Sequence, residues 1–414
     1  MEDFNKTFVI LNLTTILPSS TDNGTYGPSK EFQLELKTFQ FYMLGIIGNA
    51  LAAFGLLANT LSIIVLRHRK MRSSTAYYLV TLALYDNVIL VAMVVFFGLP
   101  ALYERMEPSI LESYHFNYSY ATPVGYPVSL AAQMASIYTC VAFTIERYIA
   151  VCHPLHAANT CTKSRAKKAM LLIFLWSILY NIPRYFHYRV ETKWVEDKNR
   201  TRAIAKETEF GSDTVFRQVY LIYFQLIFMF LIPFSILMIL NSALIRALKH
   251  SHQQRQQMSN SAAREHNLTI MLVAVIVLFL VCQFPSIIDN ILLASTDQVQ
   301  RLTNMHYNKF YIMCTLMVEI NSATNFIMYC VFGKKFRMVF LHIFGCKKVQ
   351  STLQYRNELR LDSLATVKEE SPKRHRYSFI SSKTGLWHSK GIQLCITNYL
   401  GLGHRATCTP EVIE

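Results

Sequence analysis

The sequence predicts an all-α membrane protein: a seven-transmembrane helix bundle with a short amphipathic juxtamembrane helix after the last span. Three observations predict it. Of 414 residues, 52% are hydrophobic and only 16% charged, with mean hydropathy +0.23, whereas a soluble domain carries about 25% charged residues. The apolar residues fall in long blocks, each near the roughly 20 residues that a helix needs to cross a bilayer core. Basic residues collect between alternate blocks, which is the pattern of inner-face loops.

The blocks are Phe41 to Leu66, Ala76 to Leu99, Gly125 to Val151, Ala169 to Tyr188, Tyr220 to Leu244, Leu268 to Leu293 and Phe310 to Phe332. The fourth is the weakest, because it reaches Pro183 early and carries Arg184, which must sit near the outer boundary or face protein. Four domains follow: an N-terminal tail over 1–40, the spanning domain over 41–332, an amphipathic helix over 333–348 and a polar tail over 349–414.

Loop charge sets the direction. The loop after span 1 carries Arg67, Arg69, Lys70 and Arg72, and the loop after span 3 carries Lys163, Arg165, Lys167 and Lys168, neither with an acid. Both read as cytoplasmic, which puts the N-terminus outside and the C-terminus inside a multi-pass plasma-membrane protein. N-glycosylation acceptors agree: Asn5, Asn12 and Asn23 in the tail, Asn117 in the loop after span 2 and Asn199 in the loop after span 4 all fall outside. A sixth match, Asn267, begins span 6 at its inner end and is expected to stay unmodified. The first residues lack a basic stretch and apolar run, so span 1 itself is expected to drive insertion.

The net charge of +15 and pI near 9.3 would raise nucleic-acid binding in a soluble chain. Here the basic residues lie between spans and face anionic headgroups, so no nucleic-acid partner is expected. The nine cysteines form neither zinc spacing nor a CxxC pair, and none falls in an outer loop, so no disulfide framework is expected. After span 7, Gly333-Lys-Lys-Phe-Arg-Met-Val-Phe-Leu-His-Ile-Phe suits a helix on the inner leaflet. Cys346 beside it fits palmitoylation or a free thiol equally. The tail from Val349 is expected to be disordered and open to phosphorylation.

Ionisable groups inside a span cost at least about 2.5 kcal/mol to insert, so each is a candidate functional residue. They are Asp86 in mid-span 2, Glu146 and Arg147 at the inner end of span 3, Glu265 at the inner edge of span 6, Asp289 in its outer half and Glu319 in the outer half of span 7.

Asn59, Asp86, Glu146-Arg147-Tyr148, Trp176, Pro233, Phe279-Leu-Val-Cys-Gln-Phe-Pro285 and Asn325-Phe-Ile-Met-Tyr329 stand in order on spans 1 to 7. They resemble the landmarks of rhodopsin-like (class A) G-protein-coupled receptors over about residues 40–345. Glu146-Arg-Tyr-Ile-Ala-Val-Cys-His-Pro-Leu, the stretch from Glu265 to Gln283, and Ser177-Ile-Leu-Tyr-Asn-Ile-Pro-Arg-Tyr-Phe resemble invertebrate FMRFamide-type neuropeptide receptors. The resemblance implies a peptide ligand outside and a heterotrimeric G protein inside, with arrestin and a receptor kinase as further partners, and no enzyme activity.

Arg147 needs an acid, and Glu146 and Glu265 are both available; breaking such a pair when span 6 swings out would open a cleft for the G protein. Tyr148 and Tyr329 complete the family's inner switch. A static pair that merely neutralises Arg147 is the alternative. Asp86 has no basic residue near it. The resemblance implies a sodium ion held with Ser136, Asn321, Ser322 and Asn325, oxygen ligands that suit a hard cation; a protonated or water-bonded Asp86 remains open. No other cofactor is expected.

Ser129 replaces the aspartate that pairs with amine ligands, which argues against an amine. Glu319 stands at or near the retinal lysine of opsins, which excludes retinal. What remains is an outer cavity with two acids, Asp289 and Glu319, near Gln133, Gln283, Asn290, Tyr126 and Tyr311. Acids without an internal base favour a cationic group such as the arginine of an RF-amide peptide, with Glu319 as its anchor. A Glu319 protonated or paired within the receptor explains the residue equally well.

Three departures bear on mechanism. Gln283 replaces the usual span 6 tryptophan, and Phe326 replaces the proline of the last motif. Thr122 replaces the cysteine expected at the outer end of span 3, and no cysteine lies between Pro183 and Val219. The long loop after span 4 is therefore expected to be untethered and free to move. A secondary transporter lacks support from internal repeats, and a membrane enzyme from any metal-spaced or nucleophile motif. A non-signalling seven-helix receptor is disfavoured by the retained Glu146, Arg147, Tyr148 and Glu265.

Overall fold

A computed structural model describes residues 29–103, 108–195, 200–253, 260–296 and 303–345. Among the described residues there are seven long helices. They are α1 (Lys30–Arg67), α2 (Ser74–Leu102), α3 (Pro108–Cys152), α4 (Lys163–Phe186), α5 (Phe216–Ala247), α6 (Asn260–Ser295) and α7 (Met305–Phe332), followed by the short α8 (Lys334–Phe344). Hydroxyl and amide side chains mark their starts: Ser29, Ser73, Thr162 and Asn304 each accept a first-turn N–H at α1, α2, α4 and α7.

Among the described residues, six helices are long and apolar enough to cross a membrane on length and composition; α7 is not among them. The reason is its inward face. Glu319, Asn321, Ser322 and Asn325 lower its hydropathy, yet all four are buried in the bundle and none meets lipid. The helix axis of the assembly is α3, with 61% of its apolar window buried, against 22% for each of α4 and α5. Leu171, Leu172, Leu175 and Leu179 of α4 are accordingly exposed on the outside of the bundle. Between helices, where lipid tails are as apolar as leucine, close packing and polar contacts hold the assembly. Val65, Leu79, Met134, Phe143, Leu237, Phe279 and Tyr329 form its main core. Gly55 is where α1 comes nearest, since a Cβ there would lie 2.9 Å from the Ala323 backbone.

Two boundaries differ from expectation. The first helix begins at Lys30 and not after residue 40: Leu36 is 1% exposed and packs with Leu44 and Ile312, and Lys309 of α7 pairs with Glu35 at 2.6 Å. The polar residues of 30–40 masked this turn of amphipathic helix. Asn117 lies on the outer extension of α3, exposed, and not in a loop, because the helix runs from Pro108. Asn5, Asn12, Asn23, Asn199 and Cys346 fall outside the described residues, as does the tail from Val349.

The loop after α4 is an antiparallel hairpin, β1 (Tyr188–Val195) paired to β2 (Arg200–Glu207) with Tyr188 opposite Glu207. The expected untethered loop is thus corrected: it is held without a disulfide. Ser119 of α3 donates to the Ala203 carbonyl at 3.0 Å, and Thr208 donates to the Phe186 carbonyl at 2.6 Å. At its base the buried Glu207 carboxylate accepts from His187 at 3.3 Å and pairs with Arg217 of α5. Burial pushes the His187 imidazole below its usual range, against the opposing pull of Glu207, and its ring stacks on Tyr188 at 4.1 Å.

Because the folded His187 titrates below the unfolded value near 6.5, the unfolded hairpin binds more protons once pH falls under that value. The seat is therefore expected to weaken as pH drops below about 6.5 and to be at full strength above it. Glu207→Gln removes one charge from a buried pair, a loss of the kind that costs roughly 3–5 kcal/mol. Amide exchange over 188–207 should quicken strongly in this variant, and unchanged exchange would show that Glu207 does not hold the hairpin.

Candidate functional site

Polar side chains inside the bundle gather at three levels. Nearest the loop that follows α3, Glu146 and Arg147 are both buried, at 6% and 5% exposure. Arg147 Nη2 donates to Glu146 Oε1 at 2.8 Å. The same oxygen accepts from Ser74 Oγ and Thr75 Oγ1 of α2, each at 2.9 Å. Three donors on one oxygen hold the carboxylate in place, and with it the guanidinium. The Ser73-Ser74-Thr75 run that opens α2 was visible in the sequence, but its partner on α3 was not. Tyr148 lies beside these residues with its ring 5.5 Å from that of His153. Tyr329 is buried at 1% and packs against Phe336 of α8 at 5.5 Å. Glu265 lies on α6, and its side chain is outside the described residues.

In mid-bundle, Asp86 is fully buried and accepts from Asn325 Nδ2 at 2.7 Å and Ser136 Oγ at 3.2 Å. Asn59 of α1 donates to the Ser322 carbonyl at 3.0 Å. Four helices, α1, α2, α3 and α7, therefore meet through polar contacts at this level. Asn321 is buried beside them but makes no hydrogen bond to Asp86 among the described residues. No cation pairs with Asp86 among those residues either. The surrounding hydroxyl and amide oxygens are the donor type that suits a hard monovalent or divalent ion.

The third level faces the hairpin end. Asp289 stands on α6, half-buried. Glu319, 3% exposed, turns toward α1: a Cβ on Gly48 would lie 2.9 Å from its Oε2. The absence of a side chain at Gly48 is what makes room for this carboxyl. No hydrogen bond or ion pair engages Glu319 among the described residues. Asp289 and Glu319 thus stand on neighbouring helices, α6 and α7, with Glu319 reaching the α1 side. Gln283 and Asn290 are buried at 2% and 3%, and the side-chain oxygen of each has no hydrogen-bond donor. Ser129 is turned onto its own helix, donating to the Tyr126 carbonyl at 2.7 Å, and Gln133 is half-buried on the same helix.

The comparisons with known proteins accord with this arrangement. The model of the 7 transmembrane receptor (rhodopsin family) matches residues 59–329. The chain is 32% identical over 311 residues to the FMRFamide receptor of Drosophila melanogaster, which covers 75% of this chain and 55% of that receptor. It is 28% identical over 348 residues to an FMRFamide peptide receptor of Caenorhabditis elegans, covering 80% and 73%. It is also 28% identical over 335 residues to the thyrotropin-releasing hormone receptor of Bos taurus, covering 74% and 76%. The chain spans little more than half the length of the fly receptor. These relatives are receptors and not enzymes, and the match runs from Asn59 to Tyr329, through every span landmark of the polar interior. The chain is a multi-pass membrane protein that belongs to the rhodopsin family of seven-transmembrane receptors.

Proposed function

We propose that the protein is a plasma-membrane receptor for an extracellular neuropeptide, an amidated peptide ending in Arg-Phe, and that it activates a heterotrimeric G protein. The hairpin end faces outward and the Arg147 end faces the cytoplasm, as loop charge requires. The observation that carries the ligand class is the buried Glu319 carboxyl with no cation against it among the described residues. A buried acid without a partner is costly, and a ligand guanidinium would relieve that cost with a charge-assisted hydrogen bond. Asp289 on α6 offers a second contact. Two of the relatives, from Drosophila melanogaster and Caenorhabditis elegans, are FMRFamide receptors, which supports the same class.

The inner end supplies the output. Arg147 is held by Glu146, and Glu146 by Ser74 and Thr75, so the pair is tied to α2 and not only to its own helix. Glu265 would add a tie to α6. Outward movement of α6 would then open a cleft at Arg147 for the G protein, with ligand binding shifting the population between the two states. Ser136, Asn325 and Ser322 around Asp86 would hold a sodium ion with its carboxylate. Such an ion supplies the positive charge that the described residues lack. The tail beyond Val349 would serve a receptor kinase and arrestin through its serines and threonines.

Three outcomes check these assignments in cells expressing the full chain. Amidated Arg-Phe peptides should raise calcium or change cyclic AMP, and Glu319→Gln at equal surface expression should lower their potency by roughly 10- to 100-fold, the worth of one charged hydrogen bond; unchanged potency removes Glu319 as anchor. Basal G-protein activity should rise several-fold in Ser74→Ala/Thr75→Val, since Glu146 loses two of three donors; silence in this variant would mean the contacts do not restrain the switch. Sodium should weaken peptide binding to the wild type and have no effect on Asp86→Asn, and equal sodium sensitivity of the two would place the ion elsewhere.

A further inference from the structure

Arg184, in the last turn of α4, is a charged side chain that the roles above leave unexplained. It is 4% exposed, and everything that touches it is neutral. Its Nη2 donates to Gln225 Oε1 of α5 at 2.7 Å, and its guanidinium lies over the Tyr220 ring at 5.4 Å from the centroid. Its Nε is buried with no acceptor. Among the described residues no carboxylate pairs with it. Glu207, the acid of the adjoining hairpin, is already taken by His187 and Arg217. The C-terminal carbonyls of α4 ease the charge, as a helix end does for any cation, but they do not neutralise it.

Arg184 stands where α4 ends and the hairpin begins, three residues before His187. The Tyr220 ring that it covers stacks on Phe216, whose ring meets that of His187 at 5.5 Å, and Tyr126 of α3 packs against the cluster of Phe96 and Tyr188. Arg184 therefore lies on the α4–α5 side of the hairpin end of the bundle. A buried guanidinium with an unused donor is suited to a carboxylate, which it can meet with two parallel hydrogen bonds.

We infer that Arg184, with Gln225 beside it, is the seat of an acidic group of the ligand. Resting on the peptide-receptor reading, this makes the ligand bipolar: a carboxylate at the α4–α5 wall and a cation at the acids of α6 and α7. In a C-terminally amidated peptide the carboxylate comes from an aspartate or glutamate side chain upstream of the Arg-Phe end.

The test has two arms on the full chain. In cells, amidated Arg-Phe peptides with and without one upstream aspartate are compared on wild type, Arg184→Gln and Arg184→Lys. The aspartate should raise potency about tenfold or more on wild type, little on Arg184→Gln, and partly on Arg184→Lys. An equal gain on all three, or no gain on wild type, overturns the aspartate assignment. In the second arm the purified chain in detergent is heated with and without sodium acetate, using sodium chloride as control. Acetate should raise the unfolding midpoint of wild type and not of Arg184→Gln, and Arg184→Gln without acetate should be no less stable than wild type. A less stable Arg184→Gln that ignores acetate, beside a wild type that also ignores it, makes Arg184 a structural contact and ends the proposal. Should no Arg-Phe peptide act on wild type, the peptide assignment fails while the acetate arm still decides Arg184.

Discussion

The structure depends on one constraint: polar groups that enter the bundle must find their partners inside it, because lipid offers none. Asp86 is where that constraint is met most densely. It binds Asn325 of α7 and Ser136 of α3, while Asn59 ties α1 to the Ser322 carbonyl one turn away. Apolar packing alone leaves helices free to slide and rotate against neighbours of the same polarity. These contacts select one register among four helices. They also explain why α7 carries so many polar residues for a spanning helix, since each of them faces inward.

The same constraint connects the two ends of the molecule. Glu319 lies six residues outward of Asn325 on α7, about 9 Å along the axis at 1.5 Å per residue, and Tyr329 lies one turn inward against α8. A ligand charge placed at Glu319 therefore acts on the helix that completes the Asp86 contacts. From there α3 leads to Glu146 and Arg147. Gln283, buried with an unsatisfied oxygen, stands where the family has an aromatic ring, so α6 of this chain presents a polar group to the interior. Phe326 packs on Phe336 and Phe340, so the residue in the proline's place joins α7 to α8.

Much of this was legible in the sequence, and what was not has identifiable causes. Hydropathy located all seven spans, because apolar length is a local property. It missed the turns over 30–40, where Leu36 is buried among polar neighbours, and the outer extension of α3 that carries Asn117. The hairpin has a local signal, since Tyr188, Val190, Thr192 and Trp194 alternate with Arg189, Glu191 and Lys193, a strand pattern, but the sequence there carries no cysteine to indicate how the loop is held. Pairings between helices were least legible. Nothing local to Ser74 and Thr75 indicates Glu146, and nothing local to Glu319 indicates that Gly48 leaves room for it beside α1. The position of Arg184 in an apolar span shows that it must find cover, but its neutral surroundings appear only when α4 and α5 are placed together.

The central claim is that the contacts at Asp86 and Glu146 hold a resting arrangement of α3 and α6 which an outer ligand releases. Spin labels on Leu155, just beyond α3, and on Asn260, at the start of α6, would report the spacing of these ends by pulsed electron resonance in the purified chain. The account predicts a longer distance when an amidated Arg-Phe peptide is added to wild type, and the same longer distance without peptide when Ser74 and Thr75 can no longer hold Glu146. A distance that stays the same in both cases would contradict it.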